Sequence, residues 1–179
     1  MRLHNLIFAG CLVCASVLAR AADLPAVAAP AASTAEAVQG YELRDPERGM
    51  VLSVPANWSI NASKSAVSLM NDVVYDALVI LKKSWFTVTT AEEAFVKTSE
   101  GLKRFLPGAE MIKDKESLKL GNTDAMSMTY RDPSQQKVHR EIVFVHRGVS
   151  YELSFTVKEE NFGKVKDDFG KILRGIELF

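Results

Sequence analysis

Val149-Ser150-Tyr151-Glu152-Leu153-Ser154-Phe155-Thr156-Val157 is the stretch on which the fold turns. Large apolar residues hold every second position, and small or charged polar residues fill the positions between. Successive side chains of a strand point to opposite faces, so this run has one apolar face and one polar face. That is the pattern of an antiparallel sheet packed on one side. The neighbouring segments extend it. Residues 138–146 precede the run across Arg147-Gly148, where the glycine suits the positive φ of a tight hairpin turn. Residues 115–120 and 123–131 flank a second turn candidate, Gly121-Asn122, and Asp132-Pro133-Ser134 makes a third.

Downstream, the period changes. Phe162, Val165, Phe169, Ile172 and Leu173 form one stripe of a helix over residues 161–174, with Gly175 as its expected C-cap. Gly163 and Gly170 each cost roughly 1 kcal/mol of helix propensity relative to alanine, so packing on the sheet must hold this helix in place. Upstream, Thr90-Ala91-Glu92-Glu93 is a capping box. Its Thr hydroxyl is placed to accept from the Glu93 amide while the Glu93 carboxylate reaches back to the Thr90 amide. Phe95, Leu102, Phe105 and Leu106 follow at helical spacing until Pro107-Gly108 stops the helix.

Residues 41–44, 50–54, 66–70 and 76–82 read as earlier strands, broken by Asp45-Pro46-Glu47-Arg48-Gly49, Pro55-Ala56-Asn57 and Asn71-Asp72. The continuous Leu78-Val79-Ile80-Leu81 suits a central strand covered on both faces. The sum is an α+β domain with an antiparallel sheet of about seven or eight strands and at least two long packing helices.

The first 21 residues give an address. An Arg near the start precedes an apolar run from Leu6 to Leu18, and Ala19-Arg20-Ala21 is a small-x-small cleavage site. This is the layout of a secretory signal peptide, and the run is too short for a membrane span. Residues 22–39 are rich in Ala with Pro and small polar residues, the composition of a flexible tether. The domain is expected over residues 40–179. Both cysteines, Cys11 and Cys14, fall in the signal, so the mature chain would have no disulfide and no thiol chemistry. Phe8-Ala9-Gly10-Cys11 resembles a lipobox. A lipid anchor at Cys11 is the alternative to the favoured soluble, periplasmic form.

Basic and acidic residues number 22 each and are well mixed, which gives no electrostatic case for nucleic acid. The phosphate-binding glycine loop, the dinucleotide fingerprint, the Gly-x-Ser-x-Gly elbow and His-Glu-x-x-His are all missing from the sequence. No cofactor is therefore expected, and the reading is of a non-enzyme.

Several local words are familiar. Gly49-Met50-Val51-Leu52-Ser53-Val54-Pro55-Ala56-Asn57-Trp58 resembles the strand, Pro, x, x, Trp opening of PsbP-like domains. Tyr151-Glu152-Leu153-Ser154-Phe155, followed by a helix ending Phe169-Gly170-Lys171-Ile172-Leu173-Arg174-Gly175-Ile176, is similar to that fold's last strand and helix. The resemblance spans residues 40–178. It implies an α/β/α sandwich around a central antiparallel sheet. Members include the lumenal PsbP subunit of photosystem II, a nuclear Ran-binding import factor, DcrB-type bacterial envelope proteins and mycobacterial lipoproteins. Most are non-catalytic adaptors or assembly factors, and an export signal favours the envelope members.

The residues proposed for contact with an envelope protein or small ligand are Trp58, Trp85 and Phe86, large aromatics near strand ends with Lys82-Lys83 beside the latter two. Two other chemistries stay open. His139 and Glu141 share a strand face and could serve a small metal-dependent hydrolase as acid–base pair or ligands. Met126 and Met128 likewise share a face and could hold a soft metal in a chaperone. His146 falls on the opposite face from His139, at a hairpin end, where a surface role is expected.

Overall fold

The computed structural model describes residues 40–179. The signal peptide, the tether and Cys11 lie outside them. Among the described residues, strands β1 (Tyr41–Asp45), β2 (Met50–Val54), β3 (Ser59–Ala62), β4 (Ala66–Asn71) and β5 (Ala77–Lys83) come first. Helix α1 (Ala91–Phe105) follows, then β6 (Glu110–Leu120), β7 (Thr123–Asp132), β8 (Lys137–His146) and β9 (Val149–Lys158). A short 3-10 turn leads into α2 (Phe162–Arg174), and β10 (Ile176–Leu178) closes the chain.

The strands form two sheets. One has seven strands in the order β3-β4-β5-β9-β8-β7-β6 and the other three, β1-β2-β10. Every pairing is antiparallel. The hairpins form where the turn residues allow. Arg147 and Gly148 both take positive φ, 52° and 73°, as a two-residue turn between right-twisted strands requires. Gly121 takes φ 57° between β6 and β7.

Sequence reading places eight of these ten strands and misses two. β3 is four residues of weak pattern, and β10 is three residues directly after the α2 cap. β6 begins five residues ahead of the expected start. Its leading half is charged and exposed and pairs irregularly, with register shifts between Met111 and Lys113 and between Lys113 and Glu116. An edge strand so charged and bulged resists pairing with another chain. The two helices run 15 and 13 residues, ordinary globular lengths rather than long ones.

Strand alternation divides the core. The apolar positions of β9 (Tyr151, Leu153, Phe155 and Val157) are all buried and meet Val165, Phe169 and Ile172 of α2. On β7 the alternate residues Met126, Met128 and Tyr130 join Val143 of β8 beneath Ala91, Ala94 and Phe95 of α1. The second set of side chains therefore lies under a helix of its own. That changes the expectation for β9, whose polar positions Ser150 and Glu152 are buried, not solvated.

The α1 cap differs in detail from the reading. Thr90 Oγ1 accepts from the Glu93 amide at 3.1 Å as expected. The Glu93 carboxylate, however, accepts from the amide and hydroxyl of Thr89, at 2.9 and 3.1 Å. Gly175 caps α2 as expected, with a φ of −85°. Glycine is needed there for closeness, because a Cβ would fall 2.6 Å from the Ser53 Cβ. That approach lets the Ser53 amide donate to the Gly175 carbonyl at 2.8 Å and starts the β10–β2 pairing.

Candidate functional site

The expected contact residues separate. Trp58 is only 1% exposed. Its indole Nε1 donates to Asp168 Oδ2 at 3.3 Å and its ring lies against Phe169. A side chain with no surface has nothing to offer a partner, so Trp58 is a core residue and not a contact. Burial works against the Asp168 charge, but hydrogen bonds from Lys171, Trp58 and Asn57 outweigh it and hold the carboxyl below the usual carboxylate range. Trp85, in contrast, is 79% exposed. Phe86 is half-buried, packs with the α1 cluster and supports the Trp85 ring edge-on.

Met126 and Met128 are both buried beneath α1, with the Ser117 hydroxyl on the Met126 sulfur at 3.4 Å. Their thioethers are core filler, and the soft-metal chaperone reading is withdrawn. His146 bridges the two sheets: its Nε2 lies 3.1 Å from the Gly49 carbonyl and 3.2 Å from that of Phe179.

His139 and Glu141 do share a face, and strand register gives each a cross-strand partner. His139 Nδ1 contacts Thr156 Oγ1 at 3.1 Å, and its ring stacks on Tyr130 at 4.9 Å. Glu141 accepts from the Ser154 hydroxyl opposite it, and from the Tyr130 hydroxyl at 3.4 Å. One register step along β9, buried Glu152 pairs with Lys82 of β5 at 3.1 Å. The pair is thus absorbed into a cross-strand ladder of polar side chains. Among the described residues no three His, Cys, Asp or Glu side chains are grouped to hold a metal ion.

Burial dominates the electrostatics of this ladder. It raises the Glu141 carboxyl, helped by the nearby Glu152 charge, although Ser154, Lys82 and Tyr130 oppose the rise. Burial and Glu141 together push the Tyr130 phenol up, and burial lowers the His139 imidazole. The linkage sign follows for Glu141. A carboxyl whose folded pKa is raised holds its proton more tightly in the native state, so its favourable contribution is present at low pH and is lost as pH rises through the folded pKa. We expect Glu141→Gln to raise the melting temperature more near pH 8 than near pH 4, relative to the unchanged protein. Thermal melts at both pH values check it, and a gain confined to the acid side would contradict the burial argument.

The ladder forms the floor of a groove of about 280 Å³ between β5, β8, β9 and the second half of α1. Lys97, Gly101 and Phe105 follow each other at i, i+4 along its helical wall. Gly101 leaves the wall open, since a Cβ there would meet nothing within 4 Å. Trp85 and Phe105, 79% and 75% exposed, line both this groove and a second hollow that adjoins it. Sequence reading assigned Phe105 to the apolar stripe of α1. Phe105 stands in line with Lys97 and Gly101 on the side of α1 that faces the groove, while the next residue, Leu106, packs into the α1 cluster. Glu152, Ser154, Lys82 and Tyr130 were readable only as a polar face and a core ring. Their shared parity with Glu141 was the available signal.

No family model and no curated protein matches the chain. Among solved structures it is similar to cyanobacterial PsbP from Synechocystis, with a TM-score of 0.57 at 15% identity, over 83% of this chain and 98% of that one. The chain has a PsbP-like fold. It is also similar to a protein from Bacteroides thetaiotaomicron, with a TM-score of 0.53 at 12% identity, over 79% of this chain and 49% of that one. LpqN of Mycobacterium tuberculosis, a protein involved in cell envelope biogenesis, has a TM-score of 0.47 at 13% identity, over 84% of this chain and 99% of that one. At these identities the likeness is one of fold, and the PsbP-like fold does not by itself assign an activity. Among the described residues no helix is long and apolar enough to cross a membrane.

Proposed function

We propose that this PsbP-like domain is a non-enzymatic binding or assembly module of a bacterial envelope, exported by residues 1–21. We read its layers as α/β/α, and its partner surface as the groove between α1 and the polar face of the larger sheet. The observation that carries this reading is the pair Trp85 and Phe105, exposed on the border of one groove. Large aromatics left in water beside a concave surface are the anchors of binding sites, because covering them releases much apolar area at little entropic cost. The hydrolase reading built on His139 and Glu141 has no such support, since the groups beside them are hydroxyls and a ring that already hold hydrogen bonds or stacking contacts.

The test uses the full chain with a C-terminal tag, produced in a bacterial host. The exported form should begin at Ala22. Recovery of its partner from envelope extract should fall on the order of tenfold in Trp85→Ala/Phe105→Ala, the loss expected when hot-spot anchors are truncated. Equal recovery by both proteins would remove the groove from consideration.

A further inference from the structure

Two lysines and two glutamates line the groove, and three of the four have an ion-pair partner. Lys82 is bonded to Glu152 at 3.1 Å, and Lys97 lies 3.7 Å from Glu100 on its own helix. Among the described residues, Glu141 makes no ion pair. It is a half-buried carboxyl whose only partners are two hydroxyls. Thr98 also lines the groove, and its buried Oγ1 has no hydrogen-bond partner. The floor therefore offers a carboxylate to an incoming group, and the rim offers the rings of Trp85 and Phe105.

We propose that the groove receives a lysine side chain presented by a partner polypeptide. The inference rests on the binding-module reading and names what that module recognises. A lysine has the matching shape, with an apolar four-carbon stem and a compact ammonium at its end. The stem passes between Trp85 and Phe105, where the aromatic faces also attract the cation. The ammonium supplies up to three donors, enough to satisfy the Glu141 carboxylate. An anionic group would meet Glu141 and Glu152 at the floor and be repelled. A purely apolar side chain would leave the Glu141 carboxyl desolvated without a counter-charge. The groups facing Glu141 act on its charge in both directions, Lys82 favouring ionisation and Glu152 opposing it. An incoming cation shifts that balance toward the carboxylate.

The experiment reads indole N–H signals of the full chain by NMR. With two tryptophans in the sequence, Trp85 reports the groove and buried Trp58 serves as the internal reference. The probes are three acetylated and amidated Gly-Ala-Xaa-Ala-Gly peptides with lysine, Nε-acetyl-lysine or norleucine at the centre. The lysine peptide should shift the Trp85 signal and leave that of Trp58 in place. The other two should bind on the order of tenfold more weakly, and Glu141→Gln should abolish the difference while leaving the fold intact. Norleucine binding as tightly as lysine, or unchanged selectivity in Glu141→Gln, would overturn the assignment. The two readings fail separately. Partner capture that depends on Trp85 and Phe105, without lysine selectivity, keeps the groove and removes the lysine. Selectivity without capture keeps the lysine site and removes the assembly role.

Discussion

Trp58→Ala is expected to cost about 3–5 kcal/mol of folding stability, the range for removing a large aromatic from a packed core. Trp85→Ala should change stability by no more than about 0.5 kcal/mol, as exposed substitutions do. The chain has two tryptophans, and the structure gives them opposite duties. Trp58 fills space between β2 and α2 and donates to Asp168; Trp85 projects into water. Losing Trp58 opens a void that the rigid sheet cannot collapse and withdraws one of the three donors that hold the Asp168 charge. Trp58→Phe separates the two effects. It keeps most of the volume and should cost about 1.5–3 kcal/mol for the lost hydrogen bond to a charged group. Urea denaturation of the three variants checks the order, and a Trp85→Ala protein as unstable as Trp58→Ala would reverse the two roles.

Arg48→Met should destabilise the protein by about 3–5 kcal/mol, because it breaks a buried ion pair and leaves its partner charged. Arg48 is only 4% exposed, although it lies in a surface turn of the sequence. Its guanidinium pairs with Asp45 and also donates to the carbonyls of Ser63 and Lys64, at 2.9 and 2.8 Å. One side chain thus fastens the β1–β2 turn of the small sheet to the β3–β4 turn of the large one. Methionine keeps the apolar stem but leaves Asp45 without a counter-charge and two carbonyls without a donor. Adding Asp45→Asn to Arg48→Met should recover part of the loss, since the amide is neutral and its oxygen can still accept from the residue 48 amide, as Asp45 Oδ1 does at 3.0 Å. A double variant worse than the single one would show that the lost carbonyl contacts, and not the stranded charge, set the cost.

The alternation of Val149, Tyr151, Leu153, Phe155 and Val157 placed β9 and its buried face without any coordinates. The same parity joined His139 to Glu141 and Met126 to Met128 correctly. Parity says which residues share a face, but not what lies across it. The polar face of β9 reads as solvated, and only the tertiary structure shows Ser150 and Glu152 on it as buried groups. β3 and β10 escaped because three or four residues are too few to show a period of two, and their pairing comes from neighbours that no local pattern points to. Phe105 escaped for the opposite reason: it obeys the helical spacing, yet it stands at the border of the apolar stripe, in line with Lys97 and Gly101, and is exposed while Leu106 beside it packs into the cluster.

Local chemistry in the chain was enough to determine the strand and helix types, the turn at Arg147-Gly148, the Thr90 cap and the antiparallel α+β class, because each depends on residues within a few positions of one another. Tertiary structure alone decided that Trp58 is interior and Trp85 exterior, that Arg48 is buried, and that Glu141, without an ion pair among the described residues, sits in a groove bordered by Trp85 and Phe105. Burial and charge pairing are set by elements that meet from far along the chain, and no period in the sequence encodes which elements will meet.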